Sequence, residues 1–211
     1  MDSGDLLYPS GYDLFALPQK DKELTALKAD LYLNTYNLMG YDAFTPGEVD
    51  LSWGVAELKK MGKKAKFPIL LANLQDRKTR KPVFQPYVIK EMGGIRVGLL
   101  GLLSDRFAGS LPPGDKETLR LAEPMEVARQ VIAELKKKQC KVIIAVAHME
   151  ESEQKKLAET FREVYFVVSG HTRGLKRQPV ELHNAQILTV GTRGEYLGQM
   201  DFFLKEKPDE T

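Results

Sequence analysis

Four apolar runs rich in β-branched residues, Tyr41–Thr45, Ile95–Leu103, Lys141–Ala147 and Val164–Ser169, predict buried strands. A fifth, Phe67–Ala72, carries Pro68 near its start and leads into Asn73. Between them, helical periodicity covers Lys20–Leu38, Ser52–Met61, Pro124–Lys138 and Glu151–Phe161. Glu123-Pro124 marks the start of the third helix, because proline is tolerated in a first turn. Strands alternating with helices predict an α/β architecture. Val83–Glu91 and Ile95–Leu100, on either side of Met92-Gly93-Gly94, read as a hairpin. Ile187–Val190 and Gln199–Leu204, around Gly191 and Gly194, read as another, so the sheet should be mixed. Leu111-Pro112-Pro113-Gly114-Asp115 is the clearest exposed loop, and Lys205–Thr211 reads as a frayed or cut end.

Composition narrows the class without changing this outline. A length of 211 residues fits one large domain, residues 1–211, better than two small ones. Hydrophobic residues make up 43% and charged residues 28%, as expected of a chain with a real core. Lys plus Arg total 31 against 29 Asp plus Glu, and a net charge of +2 gives no reason to expect a nucleic-acid or membrane-surface partner. The lysines at 59, 60, 63, 64 and 66, and at 136 to 138, sit at the polar ends of helices and read as solvated faces. Cys140 is the only cysteine, which excludes an intrachain disulfide and a cysteine metal cluster. It reads as a small residue at a helix–strand junction rather than a nucleophile. No stretch approaches the ~20 apolar residues of a membrane span, and no signal peptide precedes the first motif.

Candidate chemistry gathers at strand ends. Tyr41–Thr45 runs through Pro46 into Gly47-Glu48, Lys141–Ala147 runs into His148, and Val164–Ser169 runs into Gly170-His171. Near the start, Ser3-Gly4-Asp5 adds a carboxylate. In open α/β sheets the crevice beyond the carboxyl ends of the strands is where such residues converge. Two imidazoles and two carboxylates make a nitrogen/oxygen shell suited to Zn²⁺, Mn²⁺ or Fe. One histidine after a strand is more often a structural hydrogen-bonding residue, but two of the chain's three histidines stand in this position. The third, His183, falls in a turn between edge strands and reads as surface; Trp53 reads as a packing anchor.

Asp2–Asp5, Tyr36–Ala43, Leu71–Leu74, Gly93–Leu102, Val142–His148, Gly170–Arg173 and Tyr196–Asp201, taken in that order, together resemble segments of calcineurin-like metallophosphoesterases of the secreted 5′-nucleotidase branch. Asp2-Ser3-Gly4-Asp5 is similar to the family's Asp-x-Gly-Asp segment, and Tyr36–Ala43 to the Asn-x-x-Gly-Tyr-Asp-Ala lead into its Gly-Asn-His-Glu loop. Leu71–Leu74 is similar to its Ala-Asn strand end, Gly93–Leu102 to its glycine-rich hairpin, and Val142–His148 to its Ser-His strand. Gly170-His171-Thr172-Arg173 is similar to its Gly-His-Ser-His loop, and Tyr196–Asp201 to its Tyr-Leu-Gly-x-Leu-Asp ending. The resemblance implies a four-layer α-β-β-α sandwich with two mixed sheets, here without the family's first strand. It also implies a metal-dependent phosphoester hydrolase, acting on a small phosphorylated molecule, of a family found in the periplasm or cell envelope.

Family members bind two metal ions bridged by the aspartate of the Gly-Asp motif. The resemblance carries the bridging role to Asp5 and one metal's further ligands to Glu48, in place of Asn, His148 and His171. The other metal's set is incomplete: its Asp-x-His pair has no counterpart in this chain. Its last ligand position is Arg173, a permanent cation that would repel an ion and could instead fill the space or hold a phosphate. Val49 stands where the family has the histidine that assists the leaving group, and valine cannot transfer a proton. The implied function is a phosphoester hydrolase domain of weak activity, with at most one divalent ion or none. The alternative is a non-catalytic binding or assembly module. Substrate and oligomeric state are open at this level.

Overall fold

A computed structural model of the chain describes residues 1–7, 18–172, 174–192 and 194–203. The helices are α1 (Gln19–Leu38), α2 (Glu48–Ser52), α3 (Val55–Gly62), α4 (Pro113–Thr118), α5 (Pro124–Lys137) and α6 (Glu151–Thr160), with a 3₁₀ helix at Asp105–Ser110. The strands are β1 (Leu74–Asp76), β2 (Tyr87–Met92), β3 (Ile95–Leu103), β4 (Leu119–Leu121), β5 (Val142–His148), β6 (Val164–Gly170), β7 (Val180–Leu182) and β8 (Ala185–Leu188).

Six strands form one mixed sheet in the order β2-β3-β5-β6-β8-β7. β3, β5, β6 and β8 run parallel; the edge strands β2 and β7 are antiparallel to their neighbours. β3 and β5 read as nearly unbroken apolar runs because both faces of a central parallel strand are covered. On one face pack α5 and α6. Pro124 opens α5 at its first turn, and the Glu123 carboxylate caps it by accepting from the Glu126 N–H at 2.6 Å. Met125, Ala128, Val131, Ile132 and Leu135 then recur at helical spacing and enter the core with Leu100, Leu102, Ile143 and Ala145. The helix ends where Gln139 takes a left-handed conformation (φ 62°), and half-buried Cys140 leads into β5. Burial raises the Cys140 thiol pKa, which fits a structural thiol rather than a nucleophile.

The second sheet is thinner than the sequence pattern indicates. β1 and β4 pair antiparallel, and the rest of the layer is a set of single bridges: Asp2 to Phe44, Phe44 to Ile69, and Leu70 to Gln85. Tyr41–Thr45 and Phe67–Ala72 are therefore extended, hydrogen-bonded segments without long ladders. Pro46 and Pro68 each remove a backbone donor there. Val97, Leu99, Val142, Ile144 and Phe166 meet Ala43 and Leu70 between the two sheets. Beyond the second sheet, Ala29 and Leu33 of α1 and Leu58 and Met61 of α3 pack on Phe44, Ile69 and Leu71. The layers run helix, sheet, sheet, helix.

Four local expectations are corrected. The helix expected over Ser52–Met61 begins only at Val55: Ser52 ends α2, and the two helices are separated at Gly54, whose φ of 87° only glycine adopts readily. The loop at Leu111–Asp115 gives way to α4, which uses Pro113 as its first residue, and Leu111 is buried. The first hairpin arm starts at Tyr87 rather than Val83, and Met92 belongs to the strand. No tail hairpin forms within the described residues: β8 pairs with β6 and β7, and Gln199–Phe203 is not strand. Leu204 and Lys205–Thr211 lie outside the described residues. His183 sits with φ 56° in the exposed β7–β8 turn, as expected.

Asn73 ties the two sheets at the end that carries the site. It is fully buried; its Nδ2 donates to the carbonyls of Leu103 and Ala122, and its Oδ1 accepts from the Leu103 N–H. Asn73→Leu keeps the branched shape of the side chain but strands those backbone groups. Each buried unsatisfied group costs about 1–3 kcal/mol, so urea unfolding should show a loss of about 3 kcal/mol or more. A loss under about 1 kcal/mol would show that these bonds are replaceable.

Candidate metal centre

The parallel register places the site. Leu103, His148 and Gly170 are in line across β3, β5 and β6, so His148 and the following His171 emerge side by side at the carboxyl edge of the sheet. The loop bearing Asp5 and the start of α2 bearing Glu48 close over that edge. One ligand atom from each of Asp5, Glu48, His148 and His171 lies within 4.8 Å of the others. That span is a few tenths of an ångström beyond the ~4.4 Å separating opposite ligands of an ion with ~2.2 Å bonds.

Close approach of three loops needs small residues. A side chain on Gly4 (φ 103°) would strike the Gly47 backbone and the His148 ring, and one on Gly170 would strike the Ser3 carbonyl. Asp5 (φ 59°) and His171 (φ 66°) hold left-handed conformations that non-glycine residues adopt at a cost. Buried Asp50 helps keep Asp5 there. Its Oδ2 accepts from the backbone N–H groups of Asp5 (2.8 Å) and Gly47 (3.0 Å), and its Oδ1 from that of Leu7 (2.9 Å). Burial raises its pKa to about 7, against the opposing pull of those N–H groups. Asp2 pins the same loop, accepting from the Gly4 N–H and the Tyr36 hydroxyl.

His148 carries the clearest chemical signal. It is 1% exposed, and its Nδ1 lies 2.5 Å from the Ser3 carbonyl oxygen. A carbonyl can only accept, so Nδ1 carries the hydrogen and Nε2 of the neutral ring presents a lone pair. That Nε2 lies 2.5 Å from Glu48 Oε2 and 3.5 Å from Asp5 Oδ2, yet neither it nor Glu48 Oε2 has an aligned hydrogen-bond partner. A lone pair facing two carboxylates is repulsive unless a cation, proton or metal, lies among them. Burial pulls the His148 pKa down, but the Glu48 and Asp5 carboxylates outweigh it and hold the group above its ordinary value. Burial alone would raise Glu48, and His148 with His171 reverses that to a net lowering. Asp5 is raised, chiefly by burial and further by the Glu48 charge. His171 completes the group, with Nδ1 3.0 Å from Glu48 Oε1 and Nε2 3.4 Å from Glu150 Oε1. Donor types, convergence and the orphaned buried atoms all fit a divalent cation.

The structure thus brings together the four residues that the sequence singled out. Val49 contributes its backbone rather than its side chain: its N–H donates to Asp5 Oδ1 at 2.9 Å, and its methyls pack on the core beneath. Trp53 packs against the same core. Arg173 lies outside the described residues. Sequence reasoning missed Asp50, the Ser3 carbonyl, Glu150 and Phe107, whose ring packs 4.7 Å from that of His171 and 5.9 Å from that of His148. The Glu48-Val49-Asp50 spacing could have flagged Asp50. Nothing in the sequence marks Phe107.

A 5′-nucleotidase of Vibrio cholerae is 34% identical over 148 residues, covering 69% of this chain and 26% of that protein. Bacillus subtilis YfkN, a calcineurin-like phosphoesterase, superposes with a TM-score of 0.66 at 26% identity, over 84% of this chain and 59% of that one. The chain belongs to the calcineurin-like metallophosphoesterase superfamily. Its type within that superfamily is the 5′-nucleotidase one. Thermus thermophilus SoxB, a sulfate thiohydrolase, shares the fold with a TM-score of 0.74 at 19% identity, covering 90% of this chain and 33% of that one. No protein-family model matches the chain. The chain spans about a quarter to two fifths of the length of the curated relatives first matched.

Asp50→Ala should loosen the metallophosphoesterase site without touching a candidate ligand. It strands three backbone N–H groups, two of them in the segments that carry Asp5 and Glu48. A stability loss of about 2–4 kcal/mol is expected in urea. A fall of about 10–100-fold in Zn²⁺ affinity should accompany it, as for other partners that orient ligands. Unchanged affinity in a variant that remains folded would remove Asp50 from the positioning role.

Proposed function

We propose that residues 1–211 form one phosphoester-hydrolase-type domain that holds at most one divalent ion, Zn²⁺, Mn²⁺ or Fe, and hydrolyses phosphomonoesters weakly. The observation that carries the ion is the His148 Nε2 lone pair, buried and aimed at two carboxylates with no hydrogen bond of its own. Asp5, Glu48, His148 and His171 would hold it. When bound, such an ion would supply Lewis acidity toward a phosphoryl oxygen.

The chain's own residues account for the rest. The Ser3 carbonyl fixes the His148 tautomer, the Val49 N–H fixes Asp5 Oδ1, and Asp50 holds the two loops in register. In the pattern of the 5′-nucleotidase branch, residue 49 is the position that delivers a proton to the leaving group. Val49 has none to give, and loss of a positioned general acid costs roughly 10²–10⁴-fold in rate. The substrate class supported by the 5′-nucleotidase relatives is a small phosphorylated molecule, and membership of that branch supports a periplasmic or cell-envelope location. Among the described residues no helix is long and apolar enough to cross a membrane.

A second reading, a non-catalytic cation-binding or assembly module, is favoured by the crevice wall. Asp5, Glu48, Glu150 and Glu151 line it beside His171 and Thr172, and four carboxylates repel a phosphate ester. A steady-state assay on a generic phosphomonoester, with Mn²⁺ or Zn²⁺ and an Asp5→Ala control, separates the two. Slow turnover lost in Asp5→Ala supports the hydrolase; turnover equal in both selects the module.

A further inference from the structure

Helix α1 has two apolar faces, and the described residues cover only one. Thr25, Ala29 and Leu33 are buried toward α3 and the second sheet. On the opposite side Leu24, Leu27, Leu31 and Leu38 are 50, 68, 63 and 89% exposed. Single exposed leucines are ordinary. These four, with Asn34, recur at alternating intervals of three and four residues, the 3.5-residue period of a two-helix seam. We propose that α1 is a self-association helix through which two copies of the chain pair, parallel and in register.

Three features favour a second copy over another occupant. In a parallel in-register pair each seam residue meets its own counterpart, so Asn34 meets the Asn34 of the other copy and both amides find partners. Against a purely apolar surface it would be buried unpaired. The flanking charges are complementary to themselves: Glu23 and Lys28 stand five residues apart on the two flanks of the seam. A parallel pair therefore sets each Glu23 against the other copy's Lys28, twice by symmetry. Neither residue forms an ion pair among the described residues. Overlapping the same seam antiparallel would set Glu23 against Asn37 and Lys28 against Thr35, forfeiting both pairs. The seam is little more than two heptads long, too short for isolated peptides. Here the helix is already folded on its domain, so pairing bears no nucleation cost.

Sedimentation velocity of the 211-residue chain across the micromolar range should show a reversible monomer–dimer equilibrium. Leu27→Glu with Leu31→Glu, both exposed positions, should leave the far-UV spectrum unchanged, the protein monomeric throughout and its thermal midpoint equal to that of the wild type diluted to monomer. In a Cys140→Ser background, Leu24→Cys should form a disulfide-linked dimer on mild oxidation, because a parallel pair places the two copies of residue 24 side by side. A wild type that stays monomeric overturns the proposal, as does a dimer that survives the double glutamate variant. A dimer that Leu24→Cys cannot cross-link rules out the parallel register. A monomeric wild type destabilised by the glutamates would instead mean that the chain itself covers this face.

Discussion

His148→Ala should abolish the stabilisation that Zn²⁺ or Mn²⁺ gives the wild-type protein. An ion that binds only the folded chain stabilises it by about 2.7 kcal/mol at a hundred times its dissociation constant. For a chain of this size that corresponds to a rise of about 5–10 °C in the thermal midpoint. Of the four candidate ligands His148 is the most deeply buried, and its tautomer is fixed from behind by the Ser3 carbonyl. Its loss should therefore lower affinity by more than the ~10–100-fold seen for residues that merely orient a ligand. His183→Ala, in the exposed β7–β8 turn, serves as the control and should keep the full midpoint rise. The measurement is a thermal melt with and without each ion, with bound metal counted after gel filtration. An undiminished midpoint rise in His148→Ala would place the ion elsewhere.

Val49→His should restore little phosphatase activity by itself, whereas Val49→His with Arg173→His should give more than the product of the two single effects. A positioned general acid is worth roughly 10²–10⁴-fold, but only against a phosphoryl group already placed and polarised. Residue 49 stands in the first turn of α2, where its N–H already steadies Asp5. A histidine there starts beside the site, although exchanging packed valine methyls should cost about 1 kcal/mol of stability. Groups that act as a unit show strongly non-additive effects. Turnover of the wild type should fall well below the ~10 s⁻¹ median for enzymes. Wild-type turnover near that median, lost in Asp5→Ala, would mean that the present residues form a complete active site of another design.

Central strands and long amphipathic helices were legible in the sequence because each is specified locally. β3, β5 and β6 are nearly unbroken apolar runs, and α5 has its proline start, its cap and its recurring apolar stripe within one stretch of chain. Segments whose form depends on neighbours were misread. Tyr41–Thr45 has strand composition, but the partners available to it at Asp2 and Ile69 touch it for single bridges only. Gln199–Phe203 alternates like a strand, yet β7 occupies the edge of β8 that it would have joined. Leu111–Asp115 has the residues of a loop, and the same prolines open α4 once Leu111 is buried.

The candidate site divides along the same line. By itself the sequence determined which donors the chain owns: two histidines and a glutamate that follow apolar runs, and an aspartate near the start. Those are properties of residue type and of position relative to a strand end, and both can be read along one dimension. Only the tertiary structure decided that the four donors share one volume, because the parallel register of β5 and β6 and the folding of two loops over their ends bring together residues up to 166 positions apart (171 minus 5). It also decided that Asp50 holds that volume together, since a buried carboxylate becomes an anchor only when distant backbone N–H groups converge on it. The outward seam of α1 shows the converse. Its period was present in the sequence, but which apolar face would stay uncovered depended on where α3 and the second sheet packed.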